Sequence, residues 1–152
     1  MRAVAAALIG LAGAVVSVPA ARAGDAAPLT VFAVSGDAVD APLAGRSGDA
    51  ARGRAIVLDR AGGNCLICHR VPVDSEPFQG ELGPDLAGVG ARLSVGQIRL
   101  RMIDQSLIHA QTLMPPYYRI DGLRRVAPRF AGQSVLSAQE IEDVVAWLAD
   151  LK

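Results

Sequence analysis

The clearest hydrophobic period lies at the C-terminal end. Ile141, Val144, Val145 and Leu148 fall at i, i+3, i+4 and i+7, one face of an amphipathic helix, with Trp147 near that face. Ser137 with Glu140 forms a capping box, so the helix is expected to start there and run to the C-terminus. A second box, Ser94 with Gln97, opens an apolar stripe of Ile98, Met102, Ile103 and Leu107 that points towards His109. A further helix is expected from Ala50 to about Arg60, after Asp49 and before the terminating pair Gly62-Gly63.

The stretches between these helices have no such period. Gly24 to Gly48 is rich in Ala, Gly, Asp and Pro around a short β-like run, Leu29 to Val34, and reads as an extended arm lying on the domain. Val71 to Gly90 holds four Gly and three Pro and is expected to be an irregular loop, with turns at Glu76-Pro77 and Gly83-Pro84. Pro115-Pro116 stops any helix there and places Met114 on a loop. The pattern is therefore all-α, helices joined by long loops, in a domain small enough that such loops need something to wrap around.

The N-terminal run has a different character. Met1-Arg2, an uncharged apolar run from Ala3 to Val18, and Ala21-Arg22-Ala23 read as a secretory signal peptide cut after Ala23. The run is short of the ~20 apolar residues that span a bilayer, so the exported product is expected to be soluble and periplasmic, with no membrane partner. The expected organisation is a signal peptide over 1–23, an arm over 24–48 and one domain over 49–152. Taking Arg2 and Arg22 from the 15 basic residues leaves 13 against 15 acidic ones, a formal net charge of −2, which excludes a nucleic-acid binder by global charge. Three Phe, two Tyr and one Trp give little aromatic surface for a core, and a large apolar cofactor would make up the deficit.

Candidate chemistry is concentrated in "GGNCLICHRVP", residues 62 to 72, which holds both cysteines. Cys65-x-x-Cys68-His69 is the spacing that lets two thiols add to the two vinyl groups of one haem while the adjacent imidazole reaches the iron. Two other chemistries use cysteines so spaced. A thioredoxin-like dithiol needs a strand leading into a helix that begins at the cysteines, whereas here a helix precedes them. A structural zinc needs about four ligands, and beyond Cys65, Cys68 and His69 only His109 remains.

A haem iron held by one histidine takes a sixth ligand, and Met102, Met114 and His109 are available. Met102 belongs to a helix face and reads as core. Met114, in Leu-Met-Pro-Pro-Tyr, is the expected ligand because two prolines stiffen its loop; a soft thioether favours Fe(II) and raises the potential. His109 in its place would lower the potential. A turn at Gly83-Pro84 could aim the Pro84 carbonyl at the second nitrogen of His69, or be a simple surface turn. Arg119, Arg124, Arg125 and Arg129 form a basic cluster suited to haem propionates, to an acidic partner or to a solvated loop.

These motifs, from Asp49 to Gly53 through Gly63-Asn64-Cys65-x-x-Cys68-His69, Gly83-Pro84-x-Leu86-x-Gly88-x-Gly90-x-Arg92 and Met114-Pro115 to the terminal helix, resemble class I cytochromes c. The resemblance implies a small all-α domain wrapped around one covalently bound haem c, its first and last helices crossed, with Gly53 permitting close approach to Trp147. "GNCLICHRVP", "GELGPDLAGVGARLS", "TLMPPYYR" and "GLRRVAPRFAGQSVLSAQEIEDVVAWL" are similar, in order and spacing, to the SoxX family, monohaem subunits of the SoxAX cytochromes of bacterial sulfur oxidation. Carried over by position, Cys65 and Cys68 bind the haem and His69 and Met114 ligate its iron. His109-Ala110 stands where relatives tend to have Asn-Pro.

The same resemblance implies a periplasmic heterodimer with a SoxA-type cytochrome subunit that oxidatively conjugates thiosulfate to a cysteine of the SoxYZ carrier, a small cytochrome c accepting the electrons. With both cysteines in thioethers the chain has no thiol for sulfur chemistry, so it is expected to transfer electrons and not to be catalytic alone. A free-standing periplasmic electron shuttle is the alternative, and a dithiol oxidoreductase without haem is the third reading.

Overall fold

The computed structural model describes residues 28–152, so the expected signal peptide and the first residues of the arm lie outside it. Four α-helices are present: α1 (Ala50–Leu58), α2 (Val89–Arg92), α3 (Val95–Asp104) and α4 (Ala138–Asp150). Single 3₁₀ turns lie at Cys65–Ile67, Gln105–Leu107 and Pro128–Phe130. No strand occurs among the described residues, and no helix among them is long and apolar enough to cross a membrane.

Both capping boxes form. Ser94 Oγ accepts from Gln97 N while Gln97 Oε1 accepts from Ser94 N, and Ser137 and Glu140 make the same reciprocal pair. Asp49 starts α1 by accepting from Arg52 N at 3.0 Å. Helix ends depart further from expectation. α1 stops at Leu58 instead of Arg60 because the Asp59 side chain accepts from Ala61 N at 2.8 Å, turning the chain early. α3 stops at Asp104, whose carboxylate accepts from Ser106 N and Ser106 Oγ; the rotation into a 3₁₀ turn leaves Leu107, expected on the apolar stripe, 56% exposed. α2 lies at the end of the segment expected to be irregular and is one turn long. The β-like run at Leu29 to Val34 is not a strand: Val31 is 94% exposed, and the only pairing nearby is an isolated Ser35–Ala38 bridge.

α1 crosses α4 at backbone contact. A Cβ on Gly53 would sit 1.9 Å from the Asp143 carbonyl oxygen, so only glycine permits this approach. The nearest atoms to that glycine's Cβ position are those of the Asp143–Val144 backbone. Arg52 and Asp143 lock the crossing: Arg52 Nε reaches Asp143 Oδ2 at 2.8 Å and Asp49 N donates to Asp143 Oδ1 at 2.7 Å. α3 packs on the same helix, and the core formed by Ile98, Ile103, Ile141, Val144 and Leu148 lies between them.

The segment before α1 is held by burial and by backbone bonds to one buried ion pair, with Asp37 also beside Arg101. Val39 and Leu43 enter the core, each worth about 1.5–3 kcal/mol of transfer free energy. Between them runs Arg99, 4% exposed, which donates through Nε and Nη2 to Glu142 and through Nη1 to the Val39 carbonyl at 2.6 Å. Glu142, 2% exposed, also accepts from Leu43 N at 2.9 Å. This network ties the arm, α3 and α4 at one point with every Glu142 oxygen paired.

Two outcomes follow from these pairs. Arg99→Leu strands the Glu142 carboxylate and is expected to lower unfolding stability by about 3–5 kcal/mol in urea titration of the haem-loaded protein, whereas Arg99→Met with Glu142→Leu recovers most of it. Arg52 holds the Asp143 carboxyl down from 3.8 to about 2. A lowered folded-state value stabilises the fold above the unfolded value and is lost as pH falls through the folded one. Stability is therefore expected to drop by about 1–2 kcal/mol between about pH 4 and pH 2, allowing for the exposed Arg52 head, and Asp143→Asn should flatten that limb of the urea-midpoint profile.

Candidate functional site

α1, α3, α4 and the loops between them surround a cavity of about 700 Å³. Its walls are mostly apolar, with Val57, Val89, Ile98, Met102 and Leu148 among them. Cys65, Cys68, His69 and Met114 all line it, so the four residues singled out from the sequence share one space. Neither cysteine is in a disulfide.

The cysteine segment is a 3₁₀ turn that follows Asn64, whose φ of 50° is tolerable for asparagine. The turn closes through Cys68 N and His69 N, both donating to the Cys65 carbonyl. Gly83 N donates to the Cys68 carbonyl at 2.7 Å and brings Pro84 alongside. The Pro84 carbonyl then lies 2.7 Å from His69 Nδ1. A carbonyl can only accept, so Nδ1 carries the proton and Nε2 keeps its lone pair. Of the two readings of Gly83-Pro84, the carbonyl aimed at the imidazole is the one that forms. Glycine at 83 is required by packing: a Cβ there would lie 2.4 Å from His69 Cε1.

The rival cysteine chemistries find no support in this geometry. Burial pushes the Cys65 thiol up, whereas a disulfide-exchange nucleophile needs a lowered value. Among the described residues no three His, Cys, Asp or Glu side chains converge as a structural zinc requires.

The remaining candidates separate by position. Met102 is buried in the core and also touches the cavity, as its place on the helix face foretold. His109 is exposed and contributes to the cavity lining. The arginine cluster does not reach the cavity: Arg119 pairs with buried Asp104 at 2.6 Å and Arg129 stacks on Phe130. Arg92 and Arg101 line it instead. Arg92 is fixed by the Ala87 and Asp85 carbonyls, Arg101 by the Gln97 carbonyl at 2.9 Å and loosely by Asp37 at 3.5 Å. Arg101 was legible in principle, because it lies three residues after Ile98 on the apolar stripe. Tyr117, buried at the cavity wall, had no comparable signal.

The family model for cytochrome c matches residues 50–152, more than half of the chain. The chain belongs to the cytochrome c family. Among solved structures, a chain from the crystal structure of SoxXA from P. pantotrophus is similar to it with a TM-score of 0.73 and 34% identity, over 80% of this chain and 94% of that one. No curated protein matches the sequence.

A cytochrome c carries covalent haem c, and this one, with a single Cys-x-x-Cys-His, carries one. The cavity suits that group. Its volume falls in the range of cofactor sites, its walls are apolar, two cysteines outside any disulfide and an imidazole with an available Nε2 stand together, and two guanidinium groups are present for carboxylates. The all-α class I cytochrome fold expected from the sequence is the fold observed. In this cytochrome Gly83→Ala is expected to displace the His69 ring and break its bond to Pro84. Haem per polypeptide after co-expression with a maturation system should fall several-fold, measured as the pyridine haemochrome.

Proposed function

We propose that this cytochrome is the electron-transfer subunit of a SoxAX-type complex, exported to the periplasm after removal of residues 1–23, with residues 24–48 as an arm and 49–152 as the haem domain. The likeness to the SoxXA chain, spanning 94% of that chain, is the observation that carries the reading. Haem supplies one-electron redox chemistry when bound. Cys65 and Cys68 would hold it covalently, His69 Nε2 and the Met114 thioether would ligate its iron, and Arg92 and Arg101 would be available to its carboxylates. The Pro84 carbonyl fixes the His69 tautomer and makes the imidazole a stronger donor. The mostly apolar walls suit a porphyrin, and a thioether ligand beside imidazole would favour the reduced iron, which suits an acceptor.

The chemistry assigned to the complex is the oxidative joining of thiosulfate to a cysteine of the SoxYZ carrier. A sulfur–sulfur bond forms, the thiol proton is released, and two electrons must leave. With Cys65 and Cys68 spent on the cofactor, this chain has no thiol to take part, so the bond forms on the SoxA-type partner. The present chain passes the electrons on singly to a small cytochrome c.

Met114→Ala is expected to abolish the weak near-infrared sulfur-to-iron band of the ferric protein and to lower its potential; an unchanged band would move the ligand elsewhere. Purification of the native haem protein from periplasm is expected to bring down a second, SoxA-type cytochrome at equal stoichiometry. A monomer that never does so would instead make it a free-standing shuttle.

A further inference from the structure

Met114 lies on a loop, and loops hold ligands only as well as their anchors allow. One side chain, Tyr117, bonds this loop to the segment bearing the cysteines. Tyr117, three residues after Met114 and separated from it by Pro115-Pro116, is 5% exposed, and its hydroxyl donates to the Gly63 carbonyl at 2.8 Å. Gly63 stands two residues before Cys65 and lines the same cavity as Tyr117 and Met114. The backbone of Tyr117 is held in turn by Leu136 N at 3.1 Å. The neighbouring Tyr118 is fixed differently: its N donates to the Ile103 carbonyl and its hydroxyl accepts from Thr30 N at 2.9 Å, so it ties the loop to α3 and to the arm.

We propose that Tyr117 is the positioning residue that holds the Met114 thioether at the iron, by pinning the methionine loop to the backbone segment that carries the haem-binding cysteines. The inference rests on Met114 being the sixth ligand. Two prolines transmit the constraint, since their fixed φ leaves few ways for Met114 to move while Tyr117 stays in place. The bond is made inside a low-dielectric wall, where removing the donor leaves the Gly63 carbonyl unpaired and costs more than an exposed bond would. Burial also pushes the Tyr117 hydroxyl up, so it stays a donor throughout the working pH range.

The test is displacement of the thioether by exogenous imidazole in the haem-loaded ferric protein, followed by loss of the near-infrared sulfur-to-iron band. In this exchange the imidazole nitrogen lone pair takes the place of the sulfur at iron, with no change in electron count. Tyr117→Phe is expected to keep the fold and haem content and to lower the half-saturating imidazole concentration about five- to tenfold. Tyr118→Phe, which loosens the arm but leaves the Gly63 bond intact, is expected to leave that concentration unchanged. An unshifted titration in Tyr117→Phe overturns the proposal, as does an equal shift in Tyr118→Phe, which would mean general loosening. A wild-type protein with no such band overturns the Met114 assignment and this inference with it, so the two failures are told apart.

Discussion

The α4 backbone approaches α1 so closely that the Asp143 carbonyl stands where a side chain of residue 53 would be, and the rest of the domain depends on that contact. Once Gly53 admits it, consecutive residues of α4 take on different duties. Asp143 binds Arg52 and the Asp49 amide, which sets the crossing; Glu142, one residue earlier and about 100° round the helix, collects Arg99 and the Leu43 amide. Val144 and Leu148 point into the cavity wall. A shift of α4 by one residue would put Asp143 into the cavity and Ile141 against Arg99 in one direction, and Val144 against Arg52 in the other, so charge and packing specify the same register.

That frame explains how so little regular structure can enclose so large a space. Helices supply the apolar walls, and the loops between them are fixed by individual bonds: Gly83 N to Cys68, Leu86 N to Arg70, Tyr117 to Gly63 and Tyr118 N to Ile103. Few aromatic side chains are needed because the porphyrin occupies the volume they would fill. The buried Arg99–Glu142 pair is costly to desolvate, and its value lies in specificity as much as in stability: it accepts only an arm that offers the Val39 carbonyl and the Leu43 amide at the right places.

How much was legible from the sequence depended on whether a signal was local. Capping boxes at Ser94 and Ser137 and the Cys-x-x-Cys-His spacing are contained within a few residues, and each took the structure its side chains dictate. Features set by contacts remote in sequence were hidden. Asp59 and Asp104 ended helices early because their carboxylates turned back on the chain, a choice that propensity alone does not decide. For the four arginines after Met114 the sequence left propionates, an acidic partner and a solvated loop open; Arg119 is taken by Asp104, and the guanidinium groups at the cavity come from Arg92 and Arg101. Tyr117 was hidden for the same reason: its partner, Gly63, is 54 residues away.

The arrangement also bears on why such a domain suits a carrier. Fixing the His69 tautomer through Pro84, closing the space around its ring with the Gly83 backbone, and holding Met114 on a proline-stiffened loop all reduce the motion available to the ligating groups. Electron transfer favours a site whose ligands move little between oxidation states, whereas binding of a substrate at iron needs a ligand that leaves. With both cysteines committed to haem and His69 and Met114 as its ligands, as proposed above, such a cytochrome would have given up reactivity at its own centre. On the function proposed above, chemistry on sulfur would then belong to a partner, and the surface through which that partner exchanges electrons would be where this chain's specificity lies.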